Sequence, residues 1–158
     1  MGRRTTFYDQ QFRSGEWDPG DSGEFESNLV FVGMPFEGAD MLEAYNAIKD
    51  ECAKLGLACI RADDSIGSGF VIRQITDLIE RAEFLIIDLT YERPNVYYEL
   101  GYAHGVGNEA SEILLIAKEG TSLHFDIAPL RVLHYKDVSD LRSAVSDSLK
   151  RMMASTRR

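Results

Sequence analysis

Two carboxylates, Asp88 and Glu99, bracket the run Asp88-Leu-Thr-Tyr-Glu-Arg-Pro-Asn-Val-Tyr-Tyr-Glu-Leu-Gly-Tyr-Ala-His104. An acid pair of this kind suits chemistry at a sugar carbon. One carboxylate attacks or stabilises the oxocarbenium-like centre, and the other handles protons or holds a hydroxyl. The apolar residues Phe84 to Ile87 read as a strand, and the Pro94-Asn95 turn leads into a helix. Glu99 is then expected in the first turn of a helix that starts just beyond a strand end. Asp88 closes the same strand, so both acids are expected to face one crevice at the carboxyl edge of a sheet. Glu99 lies between Tyr98 and Leu100 in a segment otherwise apolar or aromatic, which makes it a candidate nucleophile. The plainer reading is a solvated glutamate favoured by the helix dipole. Asn95 reads equally as an N-cap or a ligand contact. Tyr97 and Tyr98 read as core residues or as rings stacked on a base, and Tyr102 as core.

Two further strand ends carry polar or glycine-rich turns. Gly33-Met-Pro-Phe-Glu-Gly38 lets backbone approach a ligand closely, or is an ordinary strand-to-helix turn. It matches neither the phosphate loop with Gly-Lys-Ser/Thr nor the G-x-G-x-x-G fingerprint. In Arg61-Ala-Asp-Asp64, Arg61 is a candidate phosphate or carboxylate contact, and Asp63 or Asp64 a candidate ribose contact or helix cap. His104, His124 and His134 are scattered and form no ligand cluster. No metal or other cofactor is called for.

The elements that must position these residues alternate. Strands are expected at 29–32, 57–60, 84–89, 112–117 and 132–135, and helices at 41–55, 70–81, 96–107 and 138–153. Leu42, Tyr45, Ile48, Cys52 and Leu55 show the three-four spacing of an amphipathic helix, with Gly56 as its C′ cap. Phe84 to Leu89 is apolar except for Asp88, as in a strand buried on both faces. The order predicts an α/β three-layer sandwich on a mostly parallel five-stranded sheet. Residues 1 to 26 read as a polar, loosely ordered lead-in, and 27–153 as a single domain. Phe7, Tyr8 and Trp17 are the lead-in's candidates for docking on the body or a second subunit.

With 158 residues and 44% hydrophobic composition, the chain can bury a proper core. No apolar run is long enough for a membrane helix, and no h-region follows the basic N-terminus. Cys52 and Cys59 suit neither a disulfide framework nor a metal site, so a reducing cytoplasm is expected. A net charge of −9 and a pI near 4.8 argue against nucleic acid as partner, though not against a small anion.

The motifs Phe31-Val-Gly-Met-Pro-Phe36, Cys59-Ile-Arg-Ala-Asp-Asp64, Ile86-Ile-Asp-Leu-Thr90 and Pro94-Asn-Val-Tyr-Tyr-Glu-Leu-Gly-Tyr-Ala-His104 resemble the nucleoside 2-deoxyribosyltransferase-like superfamily. They look most like its bacterial branch of predicted nucleotide-binding or TIR-like proteins. The resemblance covers Asn28 to Tyr135, and the Glu-Leu-Gly-Tyr-Ala segment is its most specific part. It implies a flavodoxin-like or Rossmann-like fold, Glu99 as nucleophile, and Gly33, Pro35 and Phe36 as ligand-binding. It also implies Asp88 as the branch's strand-end aspartate and a homo-oligomer. One departure stands out. The family's assisting aspartate falls where this chain has Ile75, and Asp77 is turned about 200° around the helix from it. Three functions follow as expectations. The first is cleavage or transfer at an N-glycosidic bond of a nucleoside or nucleotide. The second is TIR-like NAD(P) glycohydrolase or cyclase action in defence or signalling, which tolerates loss of the second acid because nicotinamide leaves unprotonated. The third is a catalytically silent nucleotide-binding module.

Overall fold

The computed structural model describes residues 25–61, 71–124 and 130–157. Of the expected lead-in, only Phe25 and Glu26 are among them, and Glu26 already opens the first strand. The elements are β1 (Glu26–Gly33), α1 (Ala39–Lys54), β2 (Ala58–Arg61), α2 (Val71–Arg81), β3 (Ala82–Asp88), α3 (Pro94–Gly105), β4 (Ile113–Lys118), β5 (Val132–Tyr135) and α4 (Val138–Thr156). A short 3-10 turn, Thr90–Glu92, joins β3 to α3. The strand order is β2-β1-β3-β4-β5, and every neighbouring pair is parallel. This is the expected α/β three-layer sandwich, with the sheet parallel throughout.

Alternation along the strands divides the core into two layers. Val30, Val32, Phe84, Ile86, Leu114 and Ile116 face α1 and α4. Phe31, Leu85, Ile87, Ile113 and Leu115 face α2 and α3. All seven residues of β3 are buried, so its run of large apolar side chains has no solvent face to fill. Each such side chain contributes roughly 1.5–3 kcal/mol on burial.

The helix ends follow local rules. At the end of α1, Leu57 N–H donates to Cys52 C=O at 2.9 Å and Gly56 N–H donates to Ala53 C=O at 3.0 Å. Gly56 has φ +74°, so this is a Schellman cap closed by the glycine expected there. Gly107, at φ +92°, ends α3 with the same pair of bonds. Two expectations at the start of α3 need correction. Its N-cap is Arg93, with Pro94 at the first helical position, so Asn95 is an exposed residue inside the first turn and not the cap. The same shift moves Glu99 into the second turn. Proline displaces the start because its fixed φ and missing N–H suit the first helical position. The effect of the dipole fades beyond that first turn, so it does little for Glu99.

A methyl group added at Gly56 would meet nothing within 4 Å, so its cost is backbone strain alone. Gly56→Ala is expected to lower stability by about 1 kcal/mol in reversible denaturation, with no change in the far-ultraviolet circular dichroism spectrum.

Candidate active site

With the strand order 2-1-3-4-5, the crossover direction reverses between β1 and β3, the place beyond the strand ends where open α/β sheets bind ligands. Gly33 is the last residue of β1 and pairs in register with Ile87 of β3. Glu99 reaches this point from α3. A Cβ built on Gly33 would overlap Glu99 Oε2, and would lie 3.5 Å from Glu99 Cδ and 2.9 Å from Ile87 Cδ1. The carboxylate therefore occupies the space that any other residue at position 33 would fill. Glu99 is 1% exposed, and its Oε2 has no hydrogen-bond partner among the described residues. Burial raises its pKa to about 8, and no neighbouring charge among the described residues acts on it. A buried carboxyl group with an unpartnered oxygen is costly to ionise, and positive charge developing beside it would favour its ionised form.

Asp88 does not share that environment. It is in phase with Phe84 and Ile86, so its side chain enters the layer facing α1 and α4. There its carboxylate accepts from Thr90 N–H at 2.9 Å, from the Thr90 hydroxyl, and from Tyr135 Oη at 2.8 Å. Thr90 Oγ1 in turn accepts from Lys118 N–H at 2.9 Å. Burial pushes the Asp88 carboxyl up, and the Thr90 and Tyr135 bonds pull it back down. The expectation of two acids facing one crevice is thus corrected: Asp88 ties together the ends of β3, β4 and β5 from the opposite side of the sheet. Thr90 and Tyr135 were not singled out from the sequence. The Asp-x-Thr spacing was the available signal for Thr90, a side chain turning back on the backbone two residues on. Nothing local marked Tyr135.

Between β3 and α3 the backbone is unusual. Tyr91 and Glu92 adopt φ +65° and +45°, a left-handed pair without glycine. Each residue costs of order 1 kcal/mol there. Side chains hold the pair: Tyr91 Oη donates to Asp40, and Tyr97 Oη donates to Glu92 Oε1 at 3.1 Å.

The other sequence candidates divide among several locations. Pro35 is buried in the turn after β1, whereas Phe36 is 45% exposed. Arg61 ends β2 on the α1 side, buried, with its guanidinium 4.3 Å from the Tyr45 ring centroid and 5.6 Å from that of Phe36. Asp63 and Asp64 lie outside the described residues. Tyr98 is half exposed and Asn95 is exposed. Tyr102 packs against the core and donates to Glu80. Ile75 packs against the same core layer, and Asp77 is paired with Arg81 at 3.1 Å. Among the described residues no helix is long and apolar enough to cross a membrane, and no group of three potential ligands is placed to hold a metal ion.

No protein-family model and no curated protein matches this sequence. Solved structures do. A mutant flavo di-iron protein from Thermotoga maritima is 16% identical with a TM-score of 0.62, over 83% of this chain and 37% of its own. A flavoprotein from the same organism is 13% identical with a TM-score of 0.59, over 83% and 38%. The chain therefore spans little more than a third of the length of these two. A CMP N-glycosidase from Clostridium botulinum is 15% identical with a TM-score of 0.56, over 74% of this chain and 96% of its own. At these identities the likeness establishes the flavodoxin-like fold.

Two outcomes follow from the geometry. Gly33→Ala is expected to drive the Glu99 carboxylate from its place and lower any Glu99-dependent turnover by roughly 100-fold, with the protein still folded. Glu99→Gln is expected to raise stability, and by more at high pH. The folded chain retains a proton on Glu99 up to about pH 8 that the unfolded chain releases near its ordinary value of 4.5. Ionisation therefore erodes wild-type stability between those values, by at most on the order of 5 kcal/mol. Denaturation midpoints of wild type and Glu99→Gln at pH 5 and pH 9 measure this, and an equal difference at both would refute it.

Proposed function

We propose that this protein cleaves the N-glycosidic bond of a nucleoside or nucleotide, with Glu99 as nucleophile. The observation that carries the proposal is the Glu99 carboxyl group, buried and with its Oε2 unpartnered, against the Gly33 backbone at the point where the crossover direction reverses. In this reading the sugar lies beyond Gly33 and Ile87 with C1′ toward Glu99. As the bond between C1′ and the base nitrogen breaks, its electron pair leaves with the base. Positive charge grows on the sugar, and the low-polarity pocket strengthens its attraction to the carboxylate. Glu99 captures C1′ as a glycosyl ester, which water hydrolyses or another base resolves. Pro35 and Phe36 would flank the sugar and base, with Asn95 and Tyr98 at the exposed rim. Arg61, beneath Phe36, would meet a phosphate. Asp88 is assigned a positioning role: through Thr90 it holds the turn from which α3 departs. The architecture shared with a CMP N-glycosidase over nearly that protein's whole length supports this reading.

One observation favours a second reading, hydrolysis of the nicotinamide bond of NAD(P). Asp88 is engaged on the other face, so among the described residues no second acid is shown beside Glu99 to protonate a leaving base. The nicotinamide nitrogen of NAD is cationic and takes the bond's electron pair to leave as a neutral base, so it needs no such acid.

Mass-spectrometric screening of wild type and Glu99→Gln against nucleosides, deoxynucleosides, their monophosphates and NAD separates these readings. Base release is expected from wild type, and a fall of roughly 10³-fold or more in Glu99→Gln. Below about pH 8 the rate at limiting substrate should rise tenfold per pH unit and then level off, as the free enzyme's Glu99 ionises. Nucleotide binding without turnover, unchanged in Glu99→Gln, would instead identify a binding module.

A further inference from the structure

A cavity lies at the end of the sheet opposite Gly33 and Glu99. In register, β5 begins at Val132 opposite Leu115, so β4 extends past the start of β5 by Ile113 and Leu114. The shortfall leaves a notch at the sheet corner, about 370 Å³ in volume. Leu114, Leu133 and Met152 give it apolar walls, and Arg131, Arg151 and His104 stand around them. The size lies within the range of small-molecule sites, and apolar walls with a few convergent polar groups are their usual composition.

The charge pattern says what fits. The chain carries 26 acidic residues, yet among the described residues no aspartate or glutamate lines this notch. Arg81, Arg142 and Arg157 each pair with carboxylates. Among the described residues, Arg131 and Arg151 do not, and the recorded partner of Arg151 is the Ser148 hydroxyl at 3.5 Å. Two guanidinium groups without carboxylate partners among the described residues, at one apolar cavity of a protein with net charge −9, form a local exception to an acidic composition. Guanidinium groups are suited to bidentate recognition of phosphate or carboxylate.

We propose that this notch is a binding site for a small organic anion, its phosphate or carboxylate head on Arg131 and Arg151 and its apolar body on Leu114, Leu133 and Met152. His104 is in the last turn of α3, so the bound anion would sit against the far end of the helix that carries Glu99.

The test is direct binding of 8-anilinonaphthalene-1-sulfonate, an aromatic anion whose fluorescence rises in apolar surroundings. One equivalent should bind, displaced by phenyl phosphate or decanoate far better than by inorganic phosphate. Affinity should fall at least tenfold in Arg131→Ala/Arg151→Ala and stay unchanged in Lys49→Ala/Lys136→Ala, which removes two cations elsewhere. Glu99→Gln should bind as wild type, so the result is independent of catalysis. Unaltered affinity in the arginine pair, equal weakening in the lysine pair, or displacement by inorganic phosphate as effective as by phenyl phosphate would each overturn the proposal.

Discussion

Right-handed crossover decides which side of this sheet each functional group occupies. A parallel β-α-β connection turns right-handed almost without exception, so the direction in which the chain steps across the sheet selects the face its helix covers. The step from β1 to β2 puts α1 on one face. The return step past β1 to β3, and the next to β4, put α2 and α3 on the other. Strand side chains alternate with period two, so each strand-end residue is also committed to one face. Together these rules bring Glu99 of α3 against Gly33 and Ile87, and send Asp88 and Arg61 toward α1. A shift of one residue in either strand end would reverse those assignments.

The two buried acids show how environment separates similar groups. Both have pKa values raised by burial. Asp88 is satisfied by hydroxyl and amide donors, so its desolvation is partly offset and it acts as a structural tie. Glu99 has an unsatisfied oxygen in a site with no room for another side chain. Natural folds keep few such orphaned groups, because each lowers stability. The left-handed Tyr91-Glu92 backbone, in the turn that leads into the helix of Glu99, is a second cost. Two such costs between the end of β3 and the second turn of α3 mark this edge of the sheet as the candidate site.

Much of the architecture was legible in the chain. The three-four spacing of Leu42, Tyr45, Ile48 and Cys52 marked α1, and Gly56 marked its end, because local periodicity and a left-handed cap need no tertiary information. The buried character of β3 was likewise plain from Phe84 to Leu89. The start of α3 was less so: Asn95 competed with Pro94, and the proline, whose φ suits the first helical position, prevailed. That shift moved Glu99 from the expected first turn into the second.

Sequence alone determined the element order, the apolar layers and the choice of Glu99 and Gly33 as residues of interest, since these rest on residue type and spacing along one dimension. Tertiary structure alone decided which of them meet. It joined Gly33 to Glu99, gave Asp88 to Thr90 and Tyr135, and gathered Arg131 and Arg151 at the notch left by a short β5. The reason is that contacts between distant positions depend on crossover handedness, strand phase and register acting at once, and no local run of residues encodes their product.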